Sequence, residues 1–153
     1  MVAATLSLKV GEGNEPGVFM GPIQNNMQYE RVKGMFEHVK EEKLDIVAGG
    51  DIPSGKGYFV HPTIVDRPPE TSRLVVEEPF GESTTPHAFQ SFPNCCTGPI
   101  VPLLSYSTYD EAIARANDTL YGLGASIWSG NTQHANELAQ KNPRWDGLGQ
   151  YAL

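Results

Sequence analysis

Cysteine is almost missing from this chain: the two present, Cys95 and Cys96, are adjacent among 153 residues. Neighbouring thiols cannot staple a disulfide framework, and they lack the spaced pairs of a zinc site, so no metal centre is expected and a reducing, cytoplasmic setting is. Basic residues are also scarce. Eleven Lys and Arg face 18 Asp and Glu, a formal charge of −7, and no basic run occurs. A nucleic-acid surface needs clustered cations to neutralise phosphates, so no nucleic-acid partner is expected. No apolar run approaches the ~20 residues that span a bilayer, and the mildly apolar start, Met1 to Val10, has no basic residues ahead of it. No membrane partner and no targeting address are therefore expected. What the chain has in quantity is turn formers, 16 Gly and 12 Pro. Its length suits one ordinary domain with much loop.

Between these turns run periodic segments. After the loop Gly11 to Pro22, Asn25 can cap a helix with Gln28 three residues on, and Tyr29, Val32, Met35, Phe36 and Val39 recur at helical spacing. Asp45 to Ala48 is a short apolar run closed by Gly49-Gly50, a strand and a turn. Tyr58 to Val65 is aromatic and β-branched, but Pro62 cannot donate to a ladder and predicts an edge or a break. Ile100 to Tyr106 repeats the pattern with Pro102. Thr108 and Glu111 have capping-box spacing ahead of Ala112, Ile113 and Ala116, Leu123 to Trp128 is a strand, and Asn131 or Thr132 caps a last helix through Gln140, which Pro143 stops.

Strands alternating with helices predict an α/β architecture with a mostly parallel sheet and flanking helices, because parallel strands need crossover connections. The stretch 81–97 breaks the order: Ser, Thr, Pro, Asn and the cysteine pair occur there with neither strand nor helix period. It is expected to be an irregular insertion.

Glu77-Glu78-Pro79-Phe80-Gly81 resembles the Glu-Glu-x-Phe-Gly-Pro motif of the aldehyde dehydrogenase superfamily. Met20-Gly21-Pro22-Ile23 is similar to that family's Met-Gly-Pro loop, Gly49-Gly50 to its paired glycine, and Gly57-Tyr58-Phe59 through Pro62-Thr63 to its Gly-Tyr-Phe-x-x-Pro-Thr segment. Arg115-Ala116-Asn117 and Tyr121-Gly122-Leu123 resemble the pieces that follow the Glu-Glu motif. Each is weak alone; their order and spacing carry the resemblance, from Val2 to about Gln140. It implies that residues 1–153 are part of a catalytic domain, taken from downstream of the family's nucleophilic cysteine.

The sequence departs from the family twice. The motif's Phe-Gly should run directly into proline and a strand, but 17 residues, 81 through 97, intervene before Gly98-Pro99-Ile100 resumes the pattern. At the end, Asn142 to Leu148 stands where the family has an Ala-Gly-Thr-Val-x-Val-Asn strand, so a tail from about 141 to 153 is expected to be foreign and that strand lost. An unspliced intron followed by a wrong reading frame would leave both marks.

The resemblance implies an oxidoreductase acting on aldehydes with NAD or NADP. In that chemistry a cysteine thiolate attacks the aldehyde, hydride passes to the nicotinamide, and a glutamate-activated water hydrolyses the thioester. By position the nucleophile, the base and the dinucleotide-binding domain fall before Met1, so no catalytic residue is assigned here and the chain alone is expected to bind no cofactor. Cys95 and Cys96 show neither a helix N-terminus nor a neighbouring cation to lower a thiol pKa, and their incidental role is the simpler one. Glu78 and Phe80 are the cofactor-binding positions the resemblance implies: Glu78 on the nicotinamide ribose hydroxyls, Phe80 beside the cofactor. Without it, the pair is a solvated acid before a buried aromatic. Gly11-x-Gly13 and Gly122-x-Gly124 leave a phosphate-loop pattern incomplete, and His38, His61, His87 and His134 are taken as surface residues rather than ligands or bases. Two other roles remain open: a non-catalytic partner docking on full-length relatives through an exposed sheet edge, and a product of faulty splicing with no role.

Overall fold

The computed structural model describes residues 1–77, 99–119 and 126–141, together with the backbone of 150–152. The chain divides into two compact units, Met1–Leu104 and Ser105–Leu153.

The first unit is organised around one amphipathic helix. After a short helix α1 (Val2–Leu6) comes α2 (Asn26–Glu41). Asn25 caps α2 as its spacing predicts: its side-chain oxygen accepts the Gln28 N–H at 2.9 Å, satisfying one of the orphan donors of the first turn. Val32, Met35, Phe36 and Val39 form the buried stripe of α2. Burial of each contributes about 1.5–3 kcal/mol, which holds the helix to the core where local propensity alone would leave it marginal. Lys43 takes a left-handed conformation (φ 53°) and turns the chain into β1 (Asp45–Ala48).

β1 pairs with β2 (Thr63–Asp66), and β2 pairs with β3 (Ile100–Leu103), in the order β1-β2-β3. The β2–β3 pair is parallel, reached by a connection that contains α3 (Arg73–Val76). The β1–β2 pair is antiparallel, with an irregularity between Ile46 and Ala48. The sheet is therefore mixed. The connection 49–62 contains no crossover helix of the kind parallel neighbours usually use; the chain turns at Gly49-Gly50 and β2 comes back antiparallel to β1. The run Tyr58 to Val65 also shortens: the strand starts at Thr63, directly after Pro62, whose missing N–H could not serve a central strand. Pro102 is accommodated because β3 lies at an edge of the described sheet, opposite Val65. Ile23, Val60, Val65, Leu74 and Ile100 close the core over the α2 stripe.

The second unit contains α4 (Tyr109–Asn117), β4 (Ser126–Trp128), α5 (Thr132–Gln140) and β5 (Gln150–Ala152). Thr108 Oγ1 accepts the Glu111 N–H at 3.2 Å and Asn131 Oδ1 accepts the His134 N–H at 3.1 Å, so both predicted caps form. A 2.9 Å ion pair between Lys141 and Asp110 joins the two helices. The expected loss of a terminal strand does not hold for the backbone: β5 pairs in parallel with β4, Ser126 opposite Gln150 and Trp128 opposite Ala152. Backbone N–H and C=O groups pair whatever side chains the tail carries. Among the described residues no helix is long and apolar enough to cross a membrane.

Candidate functional site

Glu78 and Phe80 lie outside the described residues, as do Gly81 to Thr97 with Cys95, Cys96 and His87, and the Tyr121-Gly122-Leu123 piece. The two ends between which Glu78 and Phe80 lie are described. On one side, Ser72 caps α3, its hydroxyl accepting the Leu74 N–H at 3.4 Å, and Glu77 ends the helix. The Glu77 N–H donates to the Arg73 carbonyl at 2.8 Å, its carboxylate meets the Arg73 guanidinium at 2.9 Å, and its backbone is extended (φ −98°, ψ 141°). On the other side, the Pro99 carbonyl accepts the Thr63 N–H at 2.7 Å and opens the β2–β3 ladder.

Other motif pieces come together in the first unit. The Ile23 N–H donates to the Tyr58 carbonyl at 2.9 Å, and the Tyr29 and Tyr58 rings stand 5.2 Å apart, so the Met-Gly-Pro-Ile loop rests on the Gly-Tyr-Phe segment. Gly49 and Gly50 both have positive φ, 69° and 96°. A Cβ on Gly49 would lie 2.3 Å from the Pro62 carbonyl oxygen and 2.5 Å from Thr63 Oγ1, so only glycine fits there. The Gly50 N–H donates to Thr63 Oγ1 at 2.9 Å, and that hydroxyl donates to the His61 carbonyl at 3.0 Å. Thr63 is buried. These residues build the turn that leads into β2.

Arg115, in the Arg-Ala-Asn piece, donates to the Ser105 carbonyl at 2.7 Å and to Glu111 at 3.1 Å. Glu111 accepts the Ser107 N–H at 2.9 Å through its other oxygen. That backbone bond, with the Thr108 N–H and Arg115, holds the Glu111 carboxyl below the usual carboxylate range although it is exposed. Within the second unit, this piece fixes the start of α4.

Gly11 lies between α1 and α2, and its N–H donates to the Met20 carbonyl at 3.1 Å, so it is not free to face a phosphate. Among the described residues no three His, Cys, Asp or Glu side chains gather as a metal-ligand set.

His61 is at the surface as expected, while His38 and His134 are half-buried. His61 Nδ1 sits 3.0 Å from Asp51 Oδ2 on an exposed loop, and His134 packs edge-on to Tyr109 at 4.6 Å with its Nε2 buried and unpaired. His38 lies in a cluster that the sequence reading missed: its Nε2 is 3.4 Å from Ser72 Oγ and 3.2 Å from Glu42 Oε2, and Ser72 Oγ is 3.2 Å from that same oxygen. The i,i+4 spacing of His38 and Glu42 on α2 was the available signal; Ser72, 30 residues beyond Glu42, could not be placed without the fold. The trio is no serine relay, because one ring nitrogen faces both partners and Ser72 is 2% exposed.

Comparison with known proteins fits this architecture. The model of the aldehyde dehydrogenase family matches residues 1–143. Aldehyde dehydrogenase [NAD(P)+] 2 of Saccharomyces cerevisiae is 36% identical over 124 residues, covering 79% of this chain and 21% of its own length. A probable aldehyde dehydrogenase of a Pseudomonas species is 32% identical over 151 residues, 97% of this chain and 28% of its own length. Among solved structures, aldehyde dehydrogenase from Bacillus cereus superposes with a TM-score of 0.78 at 31% identity, over 98% of this chain and 27% of that one. Its NAD+ complex gives 0.76 at 29% identity, over 99% and 28%. The 153 residues thus span about a quarter of the length of the relatives they match. By the extent of the match, the chain belongs to the aldehyde dehydrogenase family.

Proposed function

We propose that these residues form the nicotinamide-side portion of an NAD(P)-dependent aldehyde dehydrogenase and do not oxidise aldehydes by themselves. The observation that carries this reading is the coverage: the chain matches its relatives over 79–98% of its own length but over only 21–28% of theirs. Glu78 and Phe80 are the proposed cofactor contacts. A carboxylate can accept hydrogen bonds from both hydroxyls of a ribose diol, and an aromatic ring can pack beside the nicotinamide. The residues that flank the motif, Glu77 at the end of α3 and Pro99 just ahead of β3, are both tied into the first unit. The cofactor is NAD or NADP, the substrate an aldehyde and the setting cytoplasmic; the 17 residues 81–97 and the tail from about 141 are additions to the family pattern.

The test is steady-state reduction of NAD+ and NADP+ by the purified chain with a panel of aldehydes. No turnover is expected, and activity that survives removal of contaminating enzyme would overturn the proposal. Joining the upstream part of a relative, removing residues 81–97 and supplying a family strand at the end should restore aldehyde oxidation. Glu78→Gln in that enzyme should then cost about 1–3 kcal/mol of transition-state stabilisation. Unchanged cofactor affinity and rate in the variant would remove Glu78 from the site.

One observation favours a second role. β3 is an edge of the described sheet, and an edge strand offers unpaired N–H and C=O groups on which a full-length relative could add a strand. Co-purification with such a relative would favour this role. Transcripts that lack codons 81–97 would instead favour faulty splicing.

A further inference from the structure

The convergence of His38, Glu42 and Ser72 is explained neither by the family chemistry nor by capping alone. Capping of α3 requires only that Ser72 Oγ accept the Leu74 N–H, at 3.4 Å. Yet the same oxygen faces an imidazole nitrogen and a carboxylate oxygen, and the three atoms stand at mutual distances of 3.2, 3.2 and 3.4 Å. The Ser72 hydroxyl donates to Glu42 Oε2 at 3.2 Å, a contact that a bound cation would replace. Three ligands at about 2.1 Å from one tetrahedral cation would lie about 3.4 Å apart along each edge. The observed triangle is close to the face of such a polyhedron.

We propose that His38 Nε2, Glu42 Oε2 and Ser72 Oγ form a binding site for a divalent first-row cation of the zinc class, which clamps the last turn of α2 to the start of α3. The donor set is two strong ligands and one neutral hydroxyl, with water completing the shell, a combination that selects an imidazole-binding ion over Mg2+ or Ca2+. His38 and Glu42 are at i and i+4, so they share one face of the final turn, where the negative end of the helix dipole also favours a cation. Ser72 approaches from the other element and is held by its own cap. The nearest cation in sequence, Arg73, is engaged with Glu77 at 2.9 Å. The His38 and Glu42 side chains are 24% and 40% exposed, so an ion can enter without unfolding the unit.

The test uses the full 153-residue chain without a histidine tag, carrying Cys95→Ser and Cys96→Ser because adjacent thiols would themselves take zinc. Calorimetric titration with Zn2+ should show one saturable site, and Co2+ should give the visible absorption of a tetrahedral complex. Thermal unfolding should rise steadily with the logarithm of Zn2+ concentration above saturation. His38→Gln and Glu42→Gln should each weaken Zn2+ binding by at least about tenfold, and Ser72→Ala by less. Should His38→Gln not fold, imidazole nitrogen resonances of the parent chain decide: Zn2+ should shift His38 and leave His61 and His134 in place. Absence of Zn2+ binding by the folded chain, unchanged affinity in His38→Gln, or shifts only at His61 or His134 would each overturn the site and leave a hydrogen-bonded cap.

Discussion

Gly49→Ala tests whether the paired glycine is dictated by space as well as by backbone angle. Gly17 and Gly49 both have positive φ, 77° and 69°, but a Cβ on Gly17 meets nothing within 4 Å. At Gly17, alanine therefore suffers only the left-handed penalty of about 1–2 kcal/mol, offset by about 0.4–1 kcal/mol from the less flexible unfolded chain. At Gly49 the added carbon also falls 2.3 Å from the Pro62 carbonyl oxygen and 2.5 Å from Thr63 Oγ1. The first is backbone and the second belongs to a buried residue, so β2 must shift. Overpacking of this kind costs about 1–3 kcal/mol, and the shift endangers the Gly50–Thr63 hydrogen bond, worth about 1 kcal/mol more. The expected loss is about 2–5 kcal/mol. Urea unfolding followed by far-UV circular dichroism reads it directly: with a slope of about 2 kcal/mol/M the midpoint should fall by about 1–2.5 M. Gly55→Ala, in open space without positive φ, should leave the midpoint near that of the parent. If Gly49→Ala proves no worse than Gly17→Ala, the steric part of the reasoning fails.

Three further outcomes follow from the same geometry. Phe36 is 2% exposed at the centre of the α2 stripe, and Phe36→Ala should cost about 3–5 kcal/mol in the same unfolding experiment; a loss under about 1 kcal/mol would mean that this core is not packed as described. Asn25→Ala removes the acceptor of the Gln28 N–H and should cost about 1 kcal/mol, with faster amide exchange confined to the first turn of α2; an unchanged exchange rate at Gln28 would count against the cap. Glu111 is held below its ordinary value of 4.5 first by the Ser107 N–H. A depressed folded pKa gives stabilisation that is complete above the unfolded value and is lost as pH falls through the folded one. The Ser107 amide resonance should therefore titrate below pH 4.5 and stop doing so in Glu111→Gln, whereas titration at or above 4.5 would sink the assignment.

Local structure could be read from the residues themselves wherever backbone chemistry decides it. Asn25, Thr108 and Asn131 cap helices because a short polar side chain reaches an orphan N–H two or three residues on, a relation that needs no tertiary information. The α2 stripe follows from its 3.6-residue period, and β2 begins only after Pro62 because proline has no N–H to give a central strand. Family membership was likewise legible, since short motifs in fixed order survive outside any structure. Non-local pairing was not. That β1 runs antiparallel to β2, that residues 150–152 pair with β4, and that α3 forms at all depend on which backbone groups meet across the fold. The His38–Glu42–Ser72 cluster shows the same limit: helical spacing sets the first two side by side, but only the packing of α3 against α2 brings a serine from 30 residues beyond Glu42 within 3.2 Å of its carboxylate.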